Sequence, residues 1–401
     1  MRSRQDGSVN AHEVIVVGAG PVGLTHALGL ARAGIGVTIL EARQEAGTTP
    51  GDLVYQWNVL PGLDRLGILD DLLSVGYCEP HTFYRVHSTG ETVTLDLGVM
   101  KDDCPFPFNL HVRQAEVTRI LLEHLDERSE VTIFLSSALT DLAQDDHGVT
   151  VTSDGPKGEV TLRAKWVVGA DGAHSAVRRA LGLSFVGITW PERLVSVEID
   201  ADLEVLGMRG AGAVIDPQFG AIAACVDPGS RWRYIYAEDR SMPENTIDSR
   251  MKNVLVEGLS AEMAEATYTW SSFRIHQRAA ATFRRDRVMI IGDAAHITNP
   301  ASGHGMSSGL FDAFALSEVL AAVVSGQADN SLLDRWAEER RHNYVEYASP
   351  TSSERKKFVF NLEDDAAVEQ EFAPMRRIAE DPDRMRAWFT LAQSLEPPRW
   401  L

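Results

Sequence analysis

Cysteine and positive charge are both scarce in this chain of 401 residues. It has three cysteines, Cys78, Cys104 and Cys225, and no two of them form a CxxC pair. Dithiol redox and metal sites are therefore weakly indicated, and we expect a reduced, cytoplasmic setting. The 38 Lys and Arg are outnumbered by 57 Asp and Glu, which gives a formal net charge of −19. An acidic surface argues against nucleic acid or an anionic membrane as the main partner.

Long hydrophobic runs are also missing. Residues 1–12 are polar and lack the apolar segment of a signal peptide. The longest apolar helical stretch, Leu310–Val324, contains Asp312 and Glu318, and we expect it to be too short and too polar to cross a bilayer. The remaining composition, 44% hydrophobic and 24% charged residues, is that of a globular protein.

The first pattern that carries chemistry is a βαβ unit near the N-terminus. Glu13–Val17 and Val37–Leu40 predict buried strands, and Pro21–Ala33 predicts a helix between them. The intervening turn has the form GxGxxG, which is typical of dinucleotide binding because it allows a tight turn, close approach of a pyrophosphate and helix–strand packing. A carboxylate at the end of the second strand would bind ribose hydroxyls. The cofactor residues predicted from this unit are Gly18, Gly20, Pro21, Val22, Gly23, Glu41, Ala42 and Arg43. Arg43 alone is equally consistent with a solvent-exposed side chain.

Two further segments have the order strand, turn, helix. In the first, Asp171-Gly172 permits a tight turn and Ser175 is a natural N-cap, so an ordinary turn explains it equally well. The second starts at Val288 and leads into a helix predicted at Gly303–Val324. The start of that helix has bare backbone and partial positive charge, which suits an anionic flavin ring or a ribityl phosphate. The candidate residues here are Asp293, which could hold ribityl hydroxyls, and Ala294, Pro300, Gly303 and Gly305; His296 is more often structural than catalytic.

Taken together, the three motifs resemble the single-component FAD-dependent aromatic hydroxylases of the para-hydroxybenzoate hydroxylase type. The resemblance runs from Gly18 to Asp312, and the middle motif, Asp171-Gly-x-x-Ser175-x-Val-Arg178, is complete. It implies FAD as cofactor, NADPH or NADH as reductant, and O2 as co-substrate. In that family a C4a-hydroperoxyflavin delivers hydroxyl to a phenolic, hydroxy-heteroaromatic or polyketide-like ring, and the middle motif serves both FAD and the passing NAD(P)H.

The resemblance assigns more cofactor contacts. Arg113 and Gln114 match positions that contact FAD, and Ala138 matches a backbone contact to adenine, although a plain strand residue is nearly as consistent there. Met306 and Ser307 belong to the third motif. Many relatives carry Asn where this chain has Ser307, so hydrogen bonding to the flavin ring at that point stays open.

Catalytic groups are less clearly indicated, because flavin chemistry needs no nucleophile triad or metal site. A base or hydrogen-bond acceptor near the substrate hydroxyl is required, and the candidates are His276, Tyr234, Tyr236 and Tyr55. Pro300 is expected to abut the flavin ring edge through its backbone. Arg209, Arg233 and Arg274 could hold a substrate carboxylate, with an ordinary strand or surface role as the alternative for each.

Changes of pattern along the chain predict its organisation. Alternating polar and apolar residues from Leu194 to Ile275 predict a mostly antiparallel sheet with one solvated face. We therefore expect an α/β fold with a Rossmann-like FAD-binding domain at 1–185, which includes a substrate-side hairpin at about 80–110. An inserted, mostly antiparallel β-sheet substrate domain follows at 186–280. The chain then returns to the FAD-binding domain at 281–330 and ends in a C-terminal helical region at 331–401.

Three functions remain open at the level of sequence. An aromatic hydroxylase acting as a monomer or homodimer on a small aromatic substrate is the leading one. Another flavoenzyme of the same fold is the second: a Baeyer–Villiger-type oxygenase, a dehydrogenase, or a halogenase, which the lack of Trp-x-Trp-x-Ile disfavours. The third is a flavoprotein without turnover, against which the intact glycines and Asp293 argue. A single GxGxxG and no CxxxxC argue against a disulfide reductase.

Overall fold

The computed structural model describes residues 12–47 and 51–401, apart from the side chain of Tyr268. In chain order the strands are β1 (His12–Val17), β2 (Val37–Leu40), β3 (Val54–Tyr55), β4 (Tyr77–Glu79), β5 (His81–Val86), β6 (Thr92–Asp96), β7 (Asn109–His111), β8 (Val131–Phe134), β9 (Ala138–Asp145), β10 (Gly148–Gly155), β11 (Gly158–Gly169), β12 (Phe185–Ile199), β13 (Ala211–Ile215), β14 (Ala221–Asp227), β15 (Arg231–Asp239), β16 (Thr267–Ala280), β17 (Arg284–Arg285), β18 (Val288–Ile290) and β19 (His296–Ile297). The helices are α1 (Pro21–Arg32), α2 (Leu60–Arg65), α3 (Leu69–Val75), α4 (Gln114–Asp126), α5 (Ala176–Ala180), α6 (Ile247–Gly258), α7 (Ala261–Glu265), α8 (His304–Val324), α9 (Ser331–Asn343), α10 (Ser349–Phe360), α11 (Asp365–Ala379) and α12 (Pro382–Thr390).

The first sheet has a parallel centre of five strands in the order β18-β11-β1-β2-β8. Val17 at the end of β1 pairs with Gly169 of β11 and with Leu40 of β2, so these strands end together at one edge. Val14, Ile15 and Val16 are completely buried. Near-continuous β-branched runs of this kind form strands that are covered on both faces. Ligands of open parallel sheets bind at the carboxyl edge of the strands, and the three motifs all begin there.

Strand β11 differs from the two separate strands that the sequence predicts at Val160–Leu162 and Trp166–Val168. It is continuous, because its two halves find different partners. The first half pairs antiparallel with β10 up to Ala164, and the second half pairs parallel with β1 from Ala164 to Gly169.

The second sheet has the order β19-β16-β12-β15-β14-β13-β5-β6 and is antiparallel except where β13 meets β5. Successive side chains of a strand point to opposite faces. In β15, Trp232, Tyr234 and Tyr236 are buried against Met251 and Leu255 of α6. Arg233 and Ile235 point to the other face, where a large cavity lies. The sequence indicates the sheet but not the helices α6 and α7 that cover one side of it.

The C-terminal helices complete the fold. Helix α9 continues through a π-helical turn at Tyr344–Ala348 into α10, so the single helix predicted at Leu332–Tyr347 is part of a longer helical run. Phe358, Phe372 and Phe389, from α10, α11 and α12, share a hydrophobic cluster with Leu97, which follows the β5–β6 hairpin. These helices therefore cover the cavity face of the second sheet.

Helix α8 is longer than the apolar stretch considered in the sequence. An 18-residue window within its 21 residues has a mean hydropathy of 1.5, so α8 could cross a membrane by length and composition alone. However, 67% of that stretch is buried inside the protein, which is how a core helix also behaves.

Candidate active site

A cavity of about 2290 Å³ runs from the carboxyl edge of the first sheet to the inner face of the second, and the C-terminal helices close part of it. All three motifs contribute to its wall. The predicted site residues that line it are Gly18, Gly20, Pro21, Val22, Glu41, Ala42, Arg43, Arg113, Gln114, Ala138, Asp171, Gly172, His276, Asp293, Pro300, Gly303, Gly305 and Met306.

Close backbone packing explains why the turn of the first motif requires glycine. Gly18 has φ +107°, and a Cβ there would lie 2.4 Å from the Ala170 carbonyl oxygen. A Cβ at Gly23 would lie 2.3 Å from the Gly18 oxygen, so Gly23 packs the helix onto the strand instead of lining the cavity. Helix α1 starts without a side-chain cap after Gly20 and has no acidic residue in its first turn. Its open amides and positive dipole end favour a phosphate group.

The carboxylate of Glu41 is held in place by backbone donors. Its Oε2 accepts from the Ala19 amide at 2.7 Å, and its Oε1 accepts from the Arg43 amide at 2.9 Å. Each oxygen keeps a lone pair for a further donor. A carboxylate fixed at the end of β2 beside Ala138 suits the hydroxyl pair of an adenosine ribose.

The second motif has a structural role that its sequence indicates only in part. Asp171 accepts from Ser175 Oγ at 2.5 Å and from the amides of Ala176 and Val177 at 2.6 and 3.1 Å, so its carboxylate caps α5. Two donors fill Oδ2, and Oδ1 keeps a lone pair, so the side chain of Asp171 serves the helix start as well as the cavity wall. Arg178 is buried and donates to the carbonyls of Ala173 and Ala294, both at 2.8 Å. This arginine joins the second motif to the third.

A buried network fixes the backbone on either side of Asp293. Asp312 accepts from the Gly292 amide at 3.1 Å, lies 2.7 Å from His296 Nε2 and accepts from Arg340 Nε at 2.9 Å. Burial alone would raise the pKa of Asp312, but the charges of His296 and Arg340 keep the pKa below its usual value. His296 belongs to this network and does not line the cavity, which favours a structural role over a catalytic one.

Asp293 itself faces the cavity. Burial raises its pKa, against the lowering effect of His296 and Arg178. Ala294 lies behind the wall, where its carbonyl is used by Arg178. Ser307 is also buried and donates to the Gly303 carbonyl at 3.4 Å. The structure therefore does not bring Ala294 and Ser307 to the cavity. The turn that holds Ala294 and the first turn of α8, which holds Ser307, direct these side chains into the protein interior.

The N-terminus of α8 is the second open helix end in the cavity wall. Gly303 precedes the helix with φ +68°, no side chain caps it, and its first turn has no acidic residue. A Cβ at Gly303 would lie 2.8 Å from Gln56 Nε2. Two uncapped helix ends, a fixed carboxylate at one end and Asp293 at the other fit the pyrophosphate, ribose and ribityl groups of FAD.

All three predicted catalytic tyrosines lie away from the cavity. Tyr234 and Tyr236 point to the α6 side of the second sheet, because alternation along β15 gives the cavity face to their odd-numbered neighbours. Burial raises the pKa of both phenols. Tyr55 is buried in the main core, and its pKa is raised by burial and by nearby Asp52. None of the three lines the cavity.

His276 and Pro300 do line it. His276 Nδ1 lies 2.8 Å from Thr189 Oγ1. Burial, and then the positive charges of Arg278, Arg274 and His174, lower the pKa of His276, so the imidazole is neutral near pH 7. Of the arginines proposed for a carboxylate, Arg274 and Arg233 line the cavity, whereas Arg209 lies outside it, 3.8 Å from Glu79.

A cluster of charges at one side of the cavity has no counterpart among the sequence motifs. Glu198 accepts from Arg113 at 3.2 and 3.3 Å and from Arg233 at 3.0 Å. Arg233 also donates to the Gly51 carbonyl at 2.6 Å. The adjacent Asp52 is open to the cavity, but desolvation by the surrounding protein, followed by Asp293, raises its pKa to about 6, partly offset by Arg233. Asp52 lies in a loop without sequence periodicity, so no local signal points to it.

The C-terminal helices also contribute wall residues that the sequence did not single out. Tyr347, Arg355, Phe358, Met375 and Trp388 line the cavity from this region. Their helical pattern predicts elements but does not say which helix face meets a cavity.

The fold, the cavity lined by all three motifs and the similarities that follow define an FAD-dependent aromatic monooxygenase. Residues 11–347 match the family described as FAD binding domain, and the chain belongs to that family. It is 37% identical over 384 residues to 6-hydroxy-3-succinoylpyridine 3-monooxygenase of Pseudomonas putida, covering 96% of this chain and 98% of that one. It is also 37% identical over 345 residues to para-nitrophenol 4-monooxygenase of a Pseudomonas species, covering 85% of each.

Solved structures agree in fold. The crystal structure of p-nitrophenol 4-monooxygenase from Pseudomonas putida superposes with a TM-score of 0.93 at 35% identity, over 97% of this chain and 99% of that chain. Aklavinone-11 hydroxylase, solved with FAD and aklavinone, gives 0.78 at 27% identity, over 88% and 70%. This chain is thus similar in fold both to a p-nitrophenol monooxygenase and to an aklavinone hydroxylase.

Proposed function

We propose that FAD lies along the cavity with its ADP half at Glu41 and the start of α1, and its riboflavin half at Asp293 and the start of α8. The observation that carries this is that one cavity joins both open helix ends to the inner face of the second sheet. The division into an FAD-binding part (1–185 and 281–330) and a substrate sheet (186–280) is part of the proposal, supported by the strands that each sheet contains.

NADH or NADPH is the proposed reductant. His174, Arg274 and His276 line the cavity beside the second motif, and His174 and Arg274 contribute to the lowered pKa of His276. A local positive field of this kind attracts the phosphates of a dinucleotide, even on a protein whose net charge is negative.

FAD, when bound, supplies the electron transfer and the activation of oxygen. The chain binds and orients the ring, keeps water out through α10, α11 and α12, and handles the proton of the ring hydroxyl. His276 is the proposed proton acceptor: with Nδ1–H donating to Thr189 Oγ1, Nε2 carries no hydrogen and can take the proton. Removing that proton raises the electron density of the ring at the carbons ortho and para to oxygen.

The proposed position of oxygenation is para to the ring hydroxyl. Both 37%-identical relatives bear names that put the hydroxyl and the oxygenated carbon at opposite positions of a six-membered ring: 6-hydroxy with 3-monooxygenase, and para-nitrophenol with 4-monooxygenase. In both names that carbon also bears the substituent, so oxygen added there displaces the substituent, which leaves with the bonding electron pair as the deprotonated ring becomes a quinone. We propose a small hydroxylated ring with a para substituent as the substrate.

The test uses the purified full-length chain with FAD. NADH and NADPH oxidation is followed with para-substituted phenols and hydroxypyridines, and products are identified by mass spectrometry under 18O2. Stimulated oxidation with 18O at the para carbon supports the proposal. Protein that takes up no FAD contradicts the cofactor site. FAD-loaded protein whose NAD(P)H oxidation responds to no ring compound contradicts the proposed substrate class.

A further inference from the structure

The cavity has a cationic group that neither the cofactor site nor the proton acceptor uses. Helix α10 contributes Thr351, Glu354, Arg355, Phe358 and Val359 to the wall. Spacings of three, four and seven residues place these side chains on one helix face. Arg355 is thus directed into the part of the cavity between the second sheet and the C-terminal helices.

The guanidinium of Arg355 is held by aromatic rings. Its Cζ lies 4.0 Å from the centroid of the Trp388 ring and 6.0 Å from that of Tyr84. Both rings also line the cavity, from α12 and β5. Stacking occupies the face of a guanidinium and leaves the N–H groups around its edge available as donors.

Those donors have no acceptor in the part of the chain that the structure describes. Among the hydrogen bonds and ion pairs of the described residues, none involves Arg355, whereas Arg113 and Arg233 share Glu198. Glu354 and Glu371 line the cavity too, and neither forms an ion pair with Arg355. An arginine fixed over a tryptophan without a carboxylate partner has its charge available for a ligand.

A second polar group nearby has one nitrogen without a partner among the described residues. His304 is 6% exposed, lines the cavity and stacks on Tyr347 with ring centroids 5.9 Å apart. Its Nδ1 has no hydrogen-bond partner among the described residues. Burial lowers the pKa of His304 to about 4, and the charge of Arg355 adds to this, so the two groups share one region. A buried polar atom without a protein partner in a cavity wall marks a place where a ligand completes the hydrogen bonding.

We propose that Arg355 binds the paired oxygens of an acidic substituent on the aromatic substrate and so selects a hydroxylated aromatic acid. The fork of a guanidinium matches a planar two-oxygen group such as a carboxylate in a bidentate pair. The apolar surroundings, Trp388 and Phe358 among them, strengthen such a pair and accept the ring. This inference rests on the proposed function, because it names the substrate of the same cavity.

Binding is measured on the FAD-loaded, full-length enzyme through the change in flavin absorbance. The probes are 4-hydroxybenzoate and 3-(4-hydroxyphenyl)propanoate, each compared with its uncharged primary amide. Arg355→Met keeps the length and the contact with Trp388 but loses the charge. It should raise the Kd of the better acid about 10- to 100-fold, the cost of a lost charge-assisted hydrogen bond, and leave the Kd of the amide nearly unchanged. Arg355→Lys should recover part of the loss.

Two control variants separate this from general effects. Lys357→Met removes an exposed charge from the same helix and should leave the acid-to-amide ratio of Kd values unchanged. Arg274→Met removes a cavity arginine on β16. If this variant loses the preference for the acid while Arg355→Met keeps it, the proposal is overturned. An unchanged ratio in Arg355→Met, or a wild-type enzyme that prefers the amides, also overturns it. In those cases stimulated NAD(P)H oxidation with the amides shows that the proposed function still holds. If no ring compound perturbs the flavin or stimulates oxidation, both fall.

Discussion

Gly18 and Asp52 illustrate two ways in which a single residue acts at this site. Gly18 is required by backbone geometry, since φ +107° and the nearby Ala170 carbonyl leave no space for a side chain. Asp52 acts through charge: its carboxylate shares the cavity with Asp293, and the two repel each other when both are ionised. The first effect follows from a local pattern in the sequence, whereas the second depends on residues more than two hundred positions apart.

Replacing Gly18 by alanine should abolish FAD retention and destabilise the fold by about 1–3 kcal/mol, because strain in this φ region adds to the collision with Ala170. FAD content after gel filtration and thermal unfolding measure the two effects. Gly34→Ala is the matched control: Gly34 has φ +78°, but a Cβ there would meet nothing within 4 Å, so the variant should lose stability while keeping FAD. Full FAD content in Gly18→Ala would contradict the assigned turn.

Asp52 should make the protein less stable as pH rises. Its folded pKa of about 6 lies above the ordinary value of 3.8, so the folded state holds the proton more tightly, and stability falls between pH 4 and 6. The carboxylate is open to the cavity, which screens it, so we expect about 1 kcal/mol. Asp52→Asn should therefore be more stable than wild type at pH 8, with a smaller difference at pH 5.5, in urea unfolding. Asp64→Asn, on the surface of α2, should show no such difference between the two pH values. If Asp52→Asn also shows none, the pKa of Asp52 is not raised in the folded protein and the prediction is wrong.

At the scale of elements, the site depends on how helices and strands are tied together. Arg178 links the end of α5 to the third motif, and Asp312 of α8 links the backbone before Asp293 to Arg340 of α9. The side chain of Asp171, which the motif suggests as a cofactor ligand, also accepts from the first amides of α5 beside the N-cap Ser175. These ties hold the motif backbones in place, which preorganises the cofactor site without touching it.

Asp312→Asn should cost about 3–5 kcal/mol, because it removes the buried carboxylate 2.9 Å from Arg340 and leaves only the more distant Glu339 at 3.7 Å. Thermal unfolding measures the loss, and FAD content should fall with it as the backbone beside Asp293 shifts. Glu318→Gln removes an exposed carboxylate from the same helix and should change stability by no more than about 0.5 kcal/mol. Equal effects of the two substitutions would show that the network contributes nothing specific.

At the scale of the whole molecule, the cavity is closed by a C-terminal region far from the N-terminal motifs. Helix α11 is fastened to the β5–β6 hairpin by Arg376, which donates to both oxygens of Glu91 at 2.6 and 2.7 Å. Arg376 also pairs with Glu369 of its own helix. The C-terminal helices thus form a cover over the cavity that is held by hydrophobic packing and by a surface ion pair. The exclusion of water from a bound aromatic ring depends on this cover.

Arg376→Ala should loosen this cover while costing at most about 1 kcal/mol, since Arg376 and Glu91 are 30% and 39% exposed and solvent screens their attraction. We expect a larger share of the NAD(P)H oxidised to yield hydrogen peroxide and a smaller share to yield hydroxylated product, measured by peroxide assay and chromatography. Arg384→Ala, which breaks a pair within α12 alone, should keep the wild-type share. An unchanged share in Arg376→Ala would show that the Glu91 pair does not hold the cover.

The sequence by itself determined the parts of this protein that depend on near neighbours. The strand, glycine turn and helix of Gly18–Gly23, the order of the three motifs and the antiparallel texture around Val195 all follow from local sterics and side-chain periodicity. Family resemblance extended this to FAD and to aromatic oxygenation.

Only the tertiary structure decided which face each side chain presents to the cavity. Tyr234 and Tyr236 lie on the core side of β15 and Arg233 on the cavity side, a choice that depends on where α6 packs. Arg355 reaches the cavity because α10 returns over the second sheet, more than two hundred residues after Asp52 and Glu41. Periodicity defines the faces of a strand or helix, but long-range packing determines which face is buried in the core and which meets the substrate.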